Sequence, residues 1–125
     1  MSDTRYTIEH EWVCLEDDGT ITVGITDYAQ DQLGDIVFIE LPEKGASFDD
    51  GSEMAVVESV KSAGELNAPM SGSIIEVNSK LVDEPDLVNR DPKGEGWFAK
   101  IKPNDTMKFN DFMDEDEYKK FIEGL

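Results

Sequence analysis

The sequence predicts a mainly β domain, a sandwich or barrel with its helices at the periphery. Two observations lead there. Short stretches rich in Val, Ile, Thr and aromatic residues recur along the chain, each stopped by Gly, Pro, Asn or Asp. Helical periodicity is sustained only near the C-terminus, and the other helical signals are a few residues long.

Arg5-Tyr6-Thr7 and Trp12-Val13-Cys14-Leu15 read as extended, and Asp17-Asp18-Gly19 is a turn before the alternating run Thr20 to Ile25, which makes a hairpin. Asp27 with Gln30 at the capping-box spacing, followed by Gly34 as a left-handed stop, predicts a helix over 27–33. Asp35 to Leu41 is the most apolar strand and reads as a core strand that ends at Pro42. The loop from Lys44 to Gly51 has room for one short strand.

Met54 to Pro69 reads as a second hairpin, with Lys61 at its tip. The β-branched Val56, Val57 and Val60 favour extended backbone, while Ser62, Ala63 and Gly64 are small enough to permit the turn and leave the lysine stem free. Ala68-Pro69-Met70-Ser71-Gly72 is a turn before the strand Ser73 to Val77. The stretch from Asn78 to Gly96 reads as loop with helical turns near Lys80-Leu81 and Leu87-Val88, and Trp97 to Lys102 supplies a last strand. Asp114 and Glu117 form a capping box, and Tyr118, Phe121, Ile122 and Leu125 share one face of an amphipathic terminal helix placed within 111–125. Residues 1–125 form one domain in this reading.

A hydrophobic content of 38% is enough for a core at this length. Eleven basic against 29 acidic residues give a net charge of −18, which disfavours nucleic acid and anionic membrane and fits either partners with basic faces or simple solubility. Cys14 is the sole cysteine, so no intrachain disulfide forms and a reducing compartment is expected. The start, Met1 to Tyr6, resembles neither a signal peptide nor an Arg-rich presequence, and no apolar run approaches membrane-spanning length, so a soluble protein is expected.

With His10 the only histidine there is no multi-histidine metal site, and no HExxH, CxxC, GxSxG, P-loop or dinucleotide motif occurs. No spacing marks out an acid and base pair among the carboxylates, most of which belong to a solvated surface. The expectation is a protein without catalysis of its own. A lysine raised on a hairpin in a catalytically plain domain makes sense as an attachment point, because amidation turns its stem into a long arm carrying chemistry the twenty side chains lack.

Glu58-Ser59-Val60-Lys61-Ser62 resembles the lipoyl-lysine site of the glycine cleavage system H-protein family. Further blocks resemble that family in its order: His10-Glu11-Trp12-Val13, Val23 to Gln30, Leu33 to Phe38, Glu40-Leu41-Pro42, Ala68 to Gly72, Val77-Asn78, and Asn89 to Pro92 with Gly96-Trp97. The resemblance implies a lipoyl-domain-like barrel-sandwich hybrid and a covalent lipoate on Lys61. It implies a shuttle that takes an aminomethyl group from the pyridoxal-phosphate glycine decarboxylase to the tetrahydrofolate-dependent aminomethyltransferase and is reoxidised by the flavoprotein dihydrolipoyl dehydrogenase. By the same resemblance Glu58 and Gly72 match positions read by the lipoate-attaching enzyme, and Glu11 and Glu65 match positions lining the arm-binding cleft, although aspartate is commoner where Glu65 stands. A monomer is expected, cytoplasmic in a bacterium or in the mitochondrial matrix if the chain is a processed eukaryotic one.

Other attachments fit less well. A biotinyl carrier flanks its lysine with methionines, whereas Lys61 lies between Val60 and Ser62. The lipoyl domain of a 2-oxo acid dehydrogenase is ordinarily tethered by Ala/Pro-rich linkers, which this chain lacks. A free-standing lipoyl module serving such a complex, or a lipoyl store, stays open as the alternative.

Overall fold

The computed structural model describes residues 3–125; Met1 and Ser2, part of the N-terminal reading above, lie outside the described residues. Two antiparallel sheets face each other. The larger is built from β1 (Asp3–Tyr6), β2 (Glu11–Leu15), β3 (Ile21–Ile25), β5 (Ser47–Phe48), β8 (Gly72–Val77) and β9 (Ala99–Pro103), in the order β1-β2-β3-β9-β8-β5. The smaller has β4 (Ile36–Glu40), β6 (Glu53–Ser59) and β7 (Ala63–Asn67), with β6 in the centre. Val13, Val23, Ile74 and Ile101 from the first sheet and Ile36, Ile39, Val57 and Leu66 from the second share one buried cluster, closed by Phe98 and Phe109. This is the mainly β architecture the strand pattern predicts, with the packed sheets the family resemblance implies.

Four short helices decorate the sheets. α1 spans Asp27–Leu33, as predicted, but its cap is one residue earlier: the Thr26 hydroxyl accepts from Ala29 N at 3.2 Å. Asp27, expected as the cap, instead accepts from Gln30 Nε2 at 2.8 Å as a first-turn residue. A threonine buried in the preceding extended backbone has the geometry a cap needs, and its neighbour has already entered the helix. α2 (Lys80–Asp83) and α3 (Leu87–Arg90) are the two helical turns expected in the 78–96 loop. Leu81, Leu87 and Val88 anchor them in the core.

The terminal helix α4 (Glu115–Glu123) is shorter than the 111–125 expected. Residues Thr106–Asp111 form a 3-10 turn instead, and Met113 pairs with Tyr6 as a β-bridge, so the chain is still extended at that point. The capping box of Asp114 and Glu117 forms as predicted. Tyr118 is buried and stacks on Tyr6 with centroids 4.8 Å apart, Phe121 and Ile122 pack beside it, and Leu125 stays exposed. The Tyr118 hydroxyl lies 2.8 Å from both Thr26 Oγ1 and His10 Nδ1, which ties α4 to the start of α1.

Asp35 to Leu41 departs from its reading as a core strand. β4 lies at the edge of the small sheet and is bulged: Ile36 pairs with Ser59 and Phe38 with Glu58, leaving Val37 as the extra residue. Ile36 and Ile39, which an unbroken strand would send to opposite faces, both reach the core. Val37 and Phe38 both face solvent as a result.

Gly72 is fixed by packing. A Cβ there would fall 2.4 Å from the Lys102 carbonyl oxygen and 3.0 Å from Pro103 Cα, both backbone atoms of the neighbouring strand. Gly72→Ala is therefore expected to destabilise the domain by about 2 kcal/mol, read as a lowered denaturation midpoint with an unchanged slope.

Candidate functional site

β6 and β7 pair from Glu53↔Asn67 to Glu58↔Ala63 and leave Val60, Lys61 and Ser62 as the turn. Ser59 organises it. Its backbone N–H donates to the Ser62 carbonyl at 2.8 Å, and its hydroxyl oxygen accepts from Ser62 N at 3.1 Å and Lys61 N at 3.4 Å. Val60 N donates to the Asp35 carbonyl at 3.0 Å, so the tip is also held from the side by the segment entering β4. With the turn's backbone satisfied locally, the Lys61 side chain is free of that task and exposed.

The lysine stem lies across Gly34, where φ is +78° and a Cβ would stand 3.1 Å from Lys61 Cε. Glycine at this helix end both accepts the backbone angle and leaves room for the lysine stem. Asn89 fixes the segment from below: its Nδ2 donates to the Gly34 carbonyl and to Gln30 Oε1, each at 2.9 Å, and its Oδ1 accepts from Ile36 N at 2.9 Å.

Beyond Gly34 a cavity of about 170 Å³ opens between α1, β7 and the start of β2. Ile25, Ala29, Leu33, Val57 and Leu66 give it apolar walls, and Glu9, His10, Glu11, Gly64 and Glu65 complete it. Glu11 is 3% exposed. One carboxylate oxygen accepts from the Thr7 hydroxyl at 3.2 Å and the other from Asn67 N at 3.1 Å. Burial, reinforced by the charge of Glu9, outweighs these bonds and raises its pKa from 4.5 to about 7. His10, with φ of 67°, sits with its ring 4.6 Å from that of Tyr28 and 5.8 Å from that of Phe121, and burial lowers its pKa.

Glu11 and Glu65 thus line one cavity, and Lys61 stands outside its walls with its stem against Gly34, next to the lining residue Leu33; the two acids are unalike. Glu65 lies at the rim, on the exposed face of β7, and it raises the pKa of Glu53 by charge and by a hydrogen bond between the carboxyls. Glu58 is exposed on β6 opposite Phe38, near the tip but outside the cavity. Gly72 belongs to the other sheet and is buried between β5 and β9. The bracing role of Asn89 has no local signal, because it depends on bonds to Gly34 and Ile36 more than fifty residues away in the chain. Among the described residues no group of three or more His, Cys, Asp or Glu is placed to hold a metal, and no helix is long and apolar enough to cross a membrane.

Comparison with known proteins agrees with this architecture. A sequence model of the family described as glycine cleavage H-protein matches residues 4–124. A glycine cleavage system H protein of Coxiella burnetii is 52% identical over 123 residues, covering 98% of this chain and 95% of that one. One from Psychrobacter cryohalolentis is 50% identical over 117 residues, covering 94% and 93%. The crystal structure of a glycine cleavage system H protein from Mycobacterium marinum superposes with a TM-score of 0.88 at 38% identity, covering 98% of both chains. With the match extending over nearly its whole length, the chain belongs to the glycine cleavage H-protein family.

Proposed function

We propose that this protein is the lipoyl-bearing shuttle of the glycine cleavage system, with lipoate in amide linkage to Lys61, and that it moves between glycine decarboxylase, the aminomethyltransferase and dihydrolipoyl dehydrogenase without catalysing their reactions. The observation that carries this reading is an exposed lysine on a locally satisfied turn, its stem against Gly34, with the neighbouring Leu33 and Gly64 lining an apolar cavity that holds a buried carboxylate. When attached, lipoate supplies a dithiolane whose sulfurs exchange electrons and carry the aminomethyl group.

The chain's own residues match such an arm. Leu33, Ala29, Ile25 and Leu66 offer aliphatic walls to an aliphatic chain and exclude water from it. Glu11 is placed to receive an amine: an ammonium beside it would draw its proton equilibrium back toward the carboxylate, and the carboxylate would in turn hold the amine protonated. An amine held as ammonium has no lone pair with which to expel the thiolate, so the carried group survives transit. Glu65, turned toward Glu53, sits at the entrance.

Reconstitution with the three enzymes and free lipoate-loaded protein tests the reading, since a shuttle supports repeated glycine-dependent turnover and a lipoyl store supports none. The charge of −18 adds an expectation for the same assay. Encounters steered by that field weaken as salt shortens the Debye length to roughly 8 Å at physiological ionic strength and less above it. Apparent affinity for the partner enzymes should therefore fall between low and high salt, and a flat profile would remove electrostatic steering from the account.

A further inference from the structure

The bulge in β4 leaves two large apolar side chains side by side in solvent, Val37 at 54% and Phe38 at 45% exposure, on an edge strand. Exposed apolar edges invite unwanted pairing and are ordinarily blunted by charge or covered. This one carries a bulge and flanking carboxylates that disfavour strand pairing, yet its apolar side chains stay uncovered beside the lysine hairpin. Phe38 pairs with Glu58 on the open face of the small sheet, and Val60, 68% exposed at the tip, is bonded to Asp35 just before β4. The rest of that sheet is acidic. Glu40, Glu53, Glu58 and Glu65 lie on its three strands, which contain no lysine or arginine, so Lys61 is the one cation of the hairpin.

Building on the attachment role of Lys61, we propose that Val37, Phe38 and Val60 are the surface on which the lipoate-attaching enzyme docks, through an apolar contact of its own ringed by lysine and arginine. The charge pattern selects such a partner: an apolar centre with carboxylates around it complements an apolar centre with cations around it. The acylation step itself selects this enzyme among those that meet the hairpin. The neutral ε-amine of Lys61 attacks the carbonyl of an activated acyl donor such as lipoyl-adenylate, the amide bond forms, AMP leaves and the amine loses a proton. Before that step there is no arm to bind, so recognition of this lysine over others must come from the surface beside it. Enzymes that handle the finished arm can draw on the arm for affinity.

The test is steady-state acylation of unmodified protein by a lipoate–protein ligase with lipoate and ATP, product read by intact mass. The Val37→Ser/Phe38→Ser double variant and, separately, Val60→Ser are compared with wild type, with Leu125→Ser as an exposed apolar control. The expected result is a KM raised about tenfold or more in the double variant and less in Val60→Ser, kcat within about twofold, and no change in the control. Unchanged KM in both patch variants while wild type is acylated overturns the docking surface alone. Normal acylation with impaired turnover in the three-enzyme assay overturns it in favour of the arm-handling enzymes, and a wild-type dimer that the double variant abolishes overturns it in favour of self-association. Failure of wild type to accept lipoate at Lys61 overturns the attachment reading and this inference together.

Discussion

Lys61→Ala is expected to abolish glycine-dependent turnover with the three partner enzymes, while the variant unfolds within about 0.5 kcal/mol of wild type. The side chain is exposed, and the turn beneath it is closed by Ser59, Ser62 and Asp35 through the backbone and the Ser59 hydroxyl, none of which the substitution touches. Lys61→Arg separates charge from attachment. A guanidinium keeps the positive charge but is not deprotonated in proteins and offers no amine to acylate, so it should be as inactive as alanine. Recovery of turnover in Lys61→Arg would mean that the tip acts through charge and that the arm is elsewhere. Circular dichroism and thermal melts supply the folding control.

Glu11→Gln is expected to stabilise the protein at pH 8 by about 3 kcal/mol, a rise in melting temperature of roughly 10 °C, and to leave it unchanged near pH 4. The folded pKa of about 7 lies above the ordinary 4.5, because burial and Glu9 penalise the charged form. Below 4.5 the carboxyl is protonated in both states and its folded environment suits it. As pH rises the unfolded chain ionises first, stability drains away until the folded carboxyl ionises near 7, and above that the loss is complete. Glutamine can keep its Oε1 for Asn67 N while its Nε2 donates to the Thr7 hydroxyl oxygen, without the charge, so its melting curve should lack that slope. The same variant, loaded with methylamine and kept from its partners, should release ammonia faster than wild type, whereas Glu65→Gln should not, because Glu65 faces Glu53 at the rim. Equal release from wild type and Glu11→Gln would leave exclusion of water by the apolar walls as the sole protection.

Much of this was legible because its signals are local. The lysine hairpin follows from β-branched residues on one side of small ones, α1 from a capping residue and a glycine stop seven residues apart, and the start of α4 from Asp114 and Glu117. Where tertiary contacts decide, the reading failed or was silent. Asp35 to Leu41 looks like a core strand because the pattern cannot show a bulge, and the bulge alone puts Ile36 and Ile39 inside with Val37 and Phe38 outside. Thr26 outcompetes Asp27 as cap because it is the residue still in extended backbone. Residues 111–114 look continuous with the helix because the bridge that holds Met113 extended is made with Tyr6, at the other end of the chain.

The candidate site divides in the same way. Lys61 is visible from its neighbours, and Glu11 and Glu65 were placed at the cleft by resemblance. Their difference is not visible in the sequence, because Glu11 is buried and bonded to Asn67 only in the folded chain, whereas Glu65 is exposed. Gly72 was read together with Lys61, but its packing against Lys102 and Pro103 explains the residue without any contact at the hairpin. Asn89, which braces Gly34 beneath the lysine stem, is a loop asparagine until the chain is folded.

The most direct test of the central claim is the intact mass, followed by peptide mapping, of this protein produced in a host that makes lipoate. The account predicts a single lipoyl increment on the peptide that contains Lys61, and its complete loss in Lys61→Ala. An unmodified Lys61, or an increment on any of the other lysines, would contradict it.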